Sequence, residues 1–380
     1  MPAFAFRHVK ELYPVFWGKT RELTQKLTAK IQAESSTSEV KAPPSAIIEV
    51  AEWSSRATLD IIGIAGMGQD FGTVEDPNTE LNRVYSVIFR PSQSAQMLQL
   101  AGMFLPNWLV RRLPVERNGE MEAAAILIKK VCKDLIVEKR RKLEKKEATG
   151  VDILSVAIGS GGFSDEDLVN QMMTFLAAGH ETTSSALTWA IYLLCLHPDV
   201  QSRLREEIHS NLESIDSHTS ITPAQIDKLP YLHAVCQETL RFFPSVPLTI
   251  REARDNDSTI VGQRIPKGML IFIMAAAVNK STELWGEDAG EFNPDRWMGP
   301  GRANTGGASS NYAFLTFLHG PRSCIGQGFA KAEFACLLAG LVGRFQMELA
   351  DKNFELKVKG GITARPANGL PVRLTVCPDW

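Results

Sequence analysis

Cys324 stands where a loop rich in Gly, Pro and Arg turns into a helix, within FLHGPRSCIGQGFAKAEF at residues 317–334. Unpaired backbone N–H groups and the positive end of the dipole at a helix N-terminus favour a thiolate and lower a cysteine's pKa. Gly320 and Pro321 turn the chain tightly before it. Gly326 and Gly328 keep the next turn free of bulky side chains, so a large flat ligand has access to the backbone. Arg322 offers a planar fork suited to a carboxylate. Two readings stand side by side: a reactive or metal-ligating thiolate, and a structural cysteine.

A second cluster is AAGHETTSS, residues 177–185, inside an apolar segment. Glycine in a helix interior costs about 1 kcal/mol relative to alanine, and threonine there bonds back to the preceding turn and loosens it. An acid, several hydroxyls and a glycine in a buried helix predict a distorted turn facing a cavity. The alternative is a kink whose hydroxyls are satisfied locally. His180 reads as a packing or exposed residue rather than a ligand. A third is ETLR, where Glu238 and Arg241 share one helix face at i, i+3. Such a pair is worth only about 0.2–0.5 kcal/mol unless a third partner joins. FNPDRW supplies Arg296 in an irregular, Pro-bearing segment ahead of the Gly-rich loop at 299–311.

The elements that must position these residues are mostly helical. Apolar spacing predicts helices over 7–33 and 119–147. After the linker Gly159–Gly162, Ser164 is a good N-cap, with Asp165, Glu166 and Asp167 in the first turn. The helix it opens runs without proline to Leu196, about 30 residues or roughly 45 Å. Pro198 opens another helix, a short one follows the polar loop at 213–222, and LPYLHAVCQETLRFF forms a further one ended by Pro244. From 246 onward the pattern alternates, and Gly262, Pro266 and Gly268 punctuate short strands. A last helix follows Cys324, and residues 354–378 read as strands again. The class is mainly α with a small β portion: one domain over 1–380, mostly helical to 245 and mixed from 246 to 380.

The formal net charge of −2 gives no electrostatic case for nucleic acid. The run Lys139-Arg140-Arg141-Lys142 alternates with glutamates and reads as a solvated helix face. Six scattered cysteines, without a CxxC pair or zinc-like spacing, argue for a reducing compartment and against a disulfide framework. The N-terminal residues lack the apolar core of a secretory signal. The most apolar stretch, Met172–Leu196, is interrupted by GHETTSS and falls short of a membrane helix.

Together and in this order, the four stretches resemble the cytochrome P450 family of haem-thiolate monooxygenases. FLHGPRSCIG is similar to that family's Phe-x-x-Gly-x-Arg-x-Cys-x-Gly signature, with Phe317, Gly320, Arg322, Cys324 and Gly326 in place. AGHETT resembles its central-helix oxygen-activation motif, ETLR its Glu-x-x-Arg motif, and FNPDRW its Pro-x-Arg segment. The resemblance implies the P450 fold with haem b (iron protoporphyrin IX), Cys324 being the proximal thiolate ligand of the iron. It implies that Arg322 and Arg251 bind the haem propionates, and that Phe317 and Gly326 contact the cofactor. Glu238, Arg241 and Arg296 would form a buried structural network. Thr182, helped by Glu181, would hold the water and proton relay, with Ala178 and Gly179 widening the turn over the haem face. Leu318 departs from the small or polar residues common after Phe317, a change expected to be tolerated.

Family members also carry a further N-terminal portion, and PAFAFRHVKELYP is similar to the stretch after their third helix. The expectation is therefore a shortened chain without the usual endoplasmic-reticulum anchor, cytosolic or peripheral, with weakened haem binding and uncovered apolar surface. The implied activity inserts one oxygen atom of dioxygen into a lipophilic small molecule, with electrons from NADPH–cytochrome P450 reductase or a similar donor. The cavity would be walled by Met173–Thr182, Val246–Ile250 and the turn at 361–363. Two alternatives stay open: an isomerase or dehydratase of the same fold, against which the Glu181/Thr182 pair argues, and an impaired haem-binding fragment.

Overall fold

The computed structural model describes residues 4–35, 43–89, 116–145, 147, 152–217, 219–360, 362–378 and 380. Its helices are α1 (Phe6–Glu11), α2 (Tyr13–Ser35), α3 (Val50–Ile62), α4 (Glu80–Phe89), α5 (Glu116–Glu144), α6 (Ile153–Gly159) and α7 (Asp165–Leu196). They continue as α8 (Pro198–Asn211), α9 (Pro223–Asp227), α10 (Pro230–Phe242), α11 (Ala275–Val278), α12 (Thr282–Trp285) and α13 (Gln327–Arg344). The strands are β1 (Ser45–Glu49), β2 (Thr249–Glu252), β3 (Thr259–Ile260), β4 (Gln263–Arg264), β5 (Leu270–Ile273), β6 (Phe345–Leu349), β7 (Val358–Gly360), β8 (Ala364–Pro366) and β9 (Pro371–Val376). The helix expected over 7–33 is split at Leu12, because Pro14 lacks the N–H that would continue the ladder.

The residues divide into two compact units, 1–15 with 55–181 and 16–54 with 182–380. In the first, Asp60 is buried and accepts bonds from the Thr73 N–H (2.8 Å), the Thr73 hydroxyl (2.9 Å) and the Val74 N–H (2.9 Å). Arg56 donates to the carbonyls of Thr73 and Val74 from the same helix, so α3 pins the loop that follows it. Asp152 caps α6 and takes the Lys139 ammonium at 2.8 Å, joining α5 to α6. Part of the run read as a solvated face is therefore an interior ion pair.

In the second unit β9 lies between β1 and β6, both antiparallel to it, with Ile48 opposite Val372 and Met347 opposite Leu374. Alternation buries one face of β9. Beside it α13 is buried almost all round, and each fully buried Phe, Leu or Val contributes about 1.5–3 kcal/mol before entropy. Gly340 permits a close helix crossing: a Cβ there would stand 2.2 Å from Thr20 Cγ2 on α2. Among the described residues no helix is long and apolar enough to cross a membrane. On the two-stranded sheet β2–β5, Ile250 and Phe272 pair across the strands, and both are exposed.

Candidate active site

The loop ahead of α13 is held by its own backbone. The Cys324 N–H donates to the Phe317 carbonyl at 2.8 Å, Leu318 N–H to Leu315, and Ser323 N–H to Gly320. Closing the loop this tightly forces Leu318 into the left-handed region at φ 58°. That costs a branched residue about 1–2 kcal/mol, the physical content of the departure seen in the sequence. Gly320 takes φ 75° at no such cost.

Cys324 opens onto a cavity of about 210 Å³ that is partly open to solvent. Phe317, Arg322 and Cys324 make one wall; Thr182, Thr183 and Ala186 of α7 contribute another; Ala330 and Phe334 come from α13. Val246 and Thr249 line it as expected, but of the stretch 173–182 only Thr182 does. Ile362 and Thr363 do not line it, and Gly361 lies outside the described residues.

The electrostatics of Cys324 correct one expectation. Its thiol is pushed above the ordinary cysteine value, because the surrounding protein desolvates it; the Gly326 N–H only partly offsets this. Cys324 is an exposed residue on an open cavity, yet the lining around its thiol is apolar, and that desolvation outweighs the helix end. A thiol of this kind becomes a thiolate when a metal displaces its proton.

On α7 the expected widened turn is absent: residues 165–196 are α-helical throughout. Gly179 serves packing instead, since a Cβ there would meet the Ile62 side chain at 2.9 Å. Ala178 is exposed, and neither it, Gly179 nor Glu181 lines the cavity. His180 is buried against the rings of Tyr85 and Phe89, with Nδ1 3.3 Å from the Leu176 carbonyl. Burial lowers its pKa to about 4. The Thr182 carbonyl accepts a 2.7 Å bond from the Ser245 hydroxyl, tying α7 to the segment after α10. Nothing in the local sequence announced that partner.

The Glu238–Arg241 pair is completely buried, and its saturation is what the i, i+3 spacing alone did not convey. Arg241 spends all five N–H donors: two on Glu238 (2.7 and 2.8 Å) and one each on the carbonyls of Asn279, Ala289 and Glu291. Glu238 accepts in addition from Arg296 Nε (3.1 Å), the Asn293 N–H (2.9 Å) and Trp297 Nε1 (2.8 Å). Asn279 carries the order onward. Its side chain accepts from the Leu315 N–H and donates to the Thr316 hydroxyl, both at 2.8 Å, and Thr316 donates back to the Leu240 carbonyl. Leu315 and Thr316 line the cavity, so the buried ion network fixes the base of the Cys324 loop. Arg251 is exposed, folds onto Thr249 Oγ1 and its neighbour's carbonyl at 2.9 Å, and does not line the cavity.

Two α13 residues escaped the sequence reading. Glu333 is buried without a hydrogen bond to either oxygen, and burial holds its carboxyl well above the usual range, the nearby Thr183 hydroxyl offsetting a part. Lys331 is half-buried, and burial brings its ammonium down to about 8. Helical spacing alone gave neither away.

No group of three or more His, Cys, Asp or Glu able to hold a metal ion occurs among the described residues. A metal facing Cys324 would therefore bring most of its ligands with it, as iron does in a flat macrocycle. An apolar slot with one thiol and one guanidinium on its wall fits such a group.

A family model for cytochrome P450 matches residues 1–370. The chain is 51% identical over 385 residues to cytochrome P450 monooxygenase sphH of Aspergillus fumigatus, covering 100% of this chain and 69% of that protein. It is 43% identical to cytochrome P450 monooxygenase ALT8 of Alternaria alternata, covering 100% and 72%. The crystal structure of the cytochrome P450DA heme domain superposes with a TM-score of 0.78 at 25% identity, over 100% of this chain and 76% of that one.

Proposed function

The chain belongs to the cytochrome P450 family of haem-thiolate oxidoreductases, and on that premise we propose that it oxygenates a lipophilic small molecule with electrons from NADPH–cytochrome P450 reductase or a similar donor. The observation that carries the reading is Cys324 on the wall of an apolar cavity whose other side presents Thr182. When bound, haem b supplies the activation of dioxygen and its insertion into substrate. The residues of this chain hold and serve it within one domain over 1–380. Cys324 ligates the iron; Arg322, on the cavity wall, pairs with a propionate; Phe317 and Gly326 bound the ring beside the sulfur. Arg251, whose exposed side chain bonds Thr249 Oγ1, would have to release that hydroxyl to take the second propionate. Thr182 holds a water at its hydroxyl, and Glu181, the next residue along α7, feeds protons toward it. Glu238, Arg241 and Arg296 touch no substrate and keep the Cys324 loop in register.

The apolar lining supports a lipophilic substrate, and the names of the relatives favour a monooxygenase over an isomerase or dehydratase. The test is turnover under isotopically labelled dioxygen with a reductase. Label in the product, absent when reductant is withheld, is the expected result. Product formed without dioxygen or reductant overturns the proposal.

A further inference from the structure

Lys331 sits in the second turn of α13, seven residues after Cys324. Its ammonium lies 5.5 Å from the centre of the Phe317 ring and 5.8 Å from that of Phe314. Both are within cation–π reach of about 6 Å. Phe317 lines the cavity, and its carbonyl takes the Cys324 N–H, so one aromatic residue contacts both this cation and the backbone of Cys324. Among the described residues no carboxylate or hydrogen-bond acceptor pairs with the ammonium. The titratable groups that interact with it are Cys236 and His233 on α10; its own helix also carries Glu333 and Cys336, and Asp227 acts on His233 and Cys336. Burial raises Cys236 and Cys336 and lowers His233, so these three are uncharged near pH 7 and none compensates the ammonium, while burial also disfavours the charged form of Glu333.

We infer that Lys331 is an electrostatic positioning residue for the haem-thiolate centre, acting through the Phe317 ring to set its reduction potential. The inference rests on the haem-thiolate reading. Reduction adds one electron from the donor and so one negative charge, which an uncompensated cation stabilises more strongly where the surroundings are apolar. No electron passes through Lys331. Below pH about 8 the lysine keeps its proton in both redox states; above it, reduction draws one proton from solvent onto the amine.

The test is spectroelectrochemical titration of the haem-loaded chain and its K331M and K331R variants from about pH 6.5 to about pH 9.5, across the Lys331 titration near 8. The unaltered chain loses potential as pH rises through that value, up to about 59 mV for each tenfold gain in proton affinity on reduction. K331M lies lower near neutrality and is flat there; K331R, charged throughout, stays high and flat. Equal potentials and pH profiles for all three, with the thiolate absorption band intact, overturn this inference alone. Loss of that band from the unaltered chain overturns the haem-thiolate reading and this inference together.

Discussion

Changing Glu238 to glutamine keeps its shape and removes its charge, and the consequence follows from its five donors. Arg241 gives it two N–H groups, and Arg296, Asn293 and Trp297 one each. The amide nitrogen that replaces one oxygen faces donors whichever way the side chain turns. At least two buried N–H groups therefore lose their acceptor. The buried Arg241 guanidinium loses its counter-charge and keeps only its three carbonyls, while Arg296 retains Asp288. Removing one partner of a buried ion pair costs about 3–5 kcal/mol, a large part of the roughly 5–15 kcal/mol that keeps a domain folded. The assay is urea unfolding followed by tryptophan emission, which Trp297 and Trp285 beside the network report. The E238Q midpoint should fall by the equivalent of about 3–5 kcal/mol at unchanged slope. R296M should cost less, because Arg296 also holds the half-exposed Asp288. The two changes combined should cost less than their sum, since they share one network. A shift below about 0.5 kcal/mol, or strict additivity, would refute the reasoning.

Three further outcomes follow from single positions. Replacing Leu318 by glycine relieves the left-handed backbone at φ 58° and raises stability by up to about 1 kcal/mol after glycine's entropic cost, measured by the urea midpoint. Replacing Gly340 by alanine sets a methyl 2.2 Å from Thr20 Cγ2 and should cost about 1–3 kcal/mol by the same assay. Lys331 carries a base whose folded-state pKa is lowered from 10.5 to about 8, so its burial penalty is complete below pH 8 and vanishes as pH rises to 10.5. The unaltered chain should gain stability on K331M across that window; a constant difference from pH 7 to pH 11 would contradict it.

What the sequence disclosed followed the range of the interactions. Ser164 was readable as a cap because its partner is three residues away: its Oγ accepts from the Asp167 N–H at 3.2 Å. Pro198 opening α8 and the strands after 246 were equally local. The pairing of Ser45–Glu49 with Pro371–Val376 joins segments more than three hundred residues apart, and neither announces the other. Glu238 and Arg241 were visible as a pair, but Asn279, Asn293 and Trp297, which complete the network, lie 38 to 59 residues along the chain. On α7 the composition was read as distortion, whereas Thr188 bonds back to Ser184, Ser185 reaches the Ala364 carbonyl, and Gly179 makes room for Ile62. The hydroxyls find partners inside and outside the helix, Thr183 Oγ1 excepted, and residues 165–196 remain α-helical. Cys324 was found by its motif, while the sign of its pKa shift needed the apolar lining around the thiol.

The ligand role of Cys324 is tested most directly by the absorbance of the haem-loaded chain, reduced and saturated with carbon monoxide, beside its Cys324→Ser variant. A strongly red-shifted Soret band is expected for the unaltered chain, and its loss in the variant. A band of histidine- or thiol-ligated haem in the unaltered chain, or the same red-shifted band in both, would contradict that role.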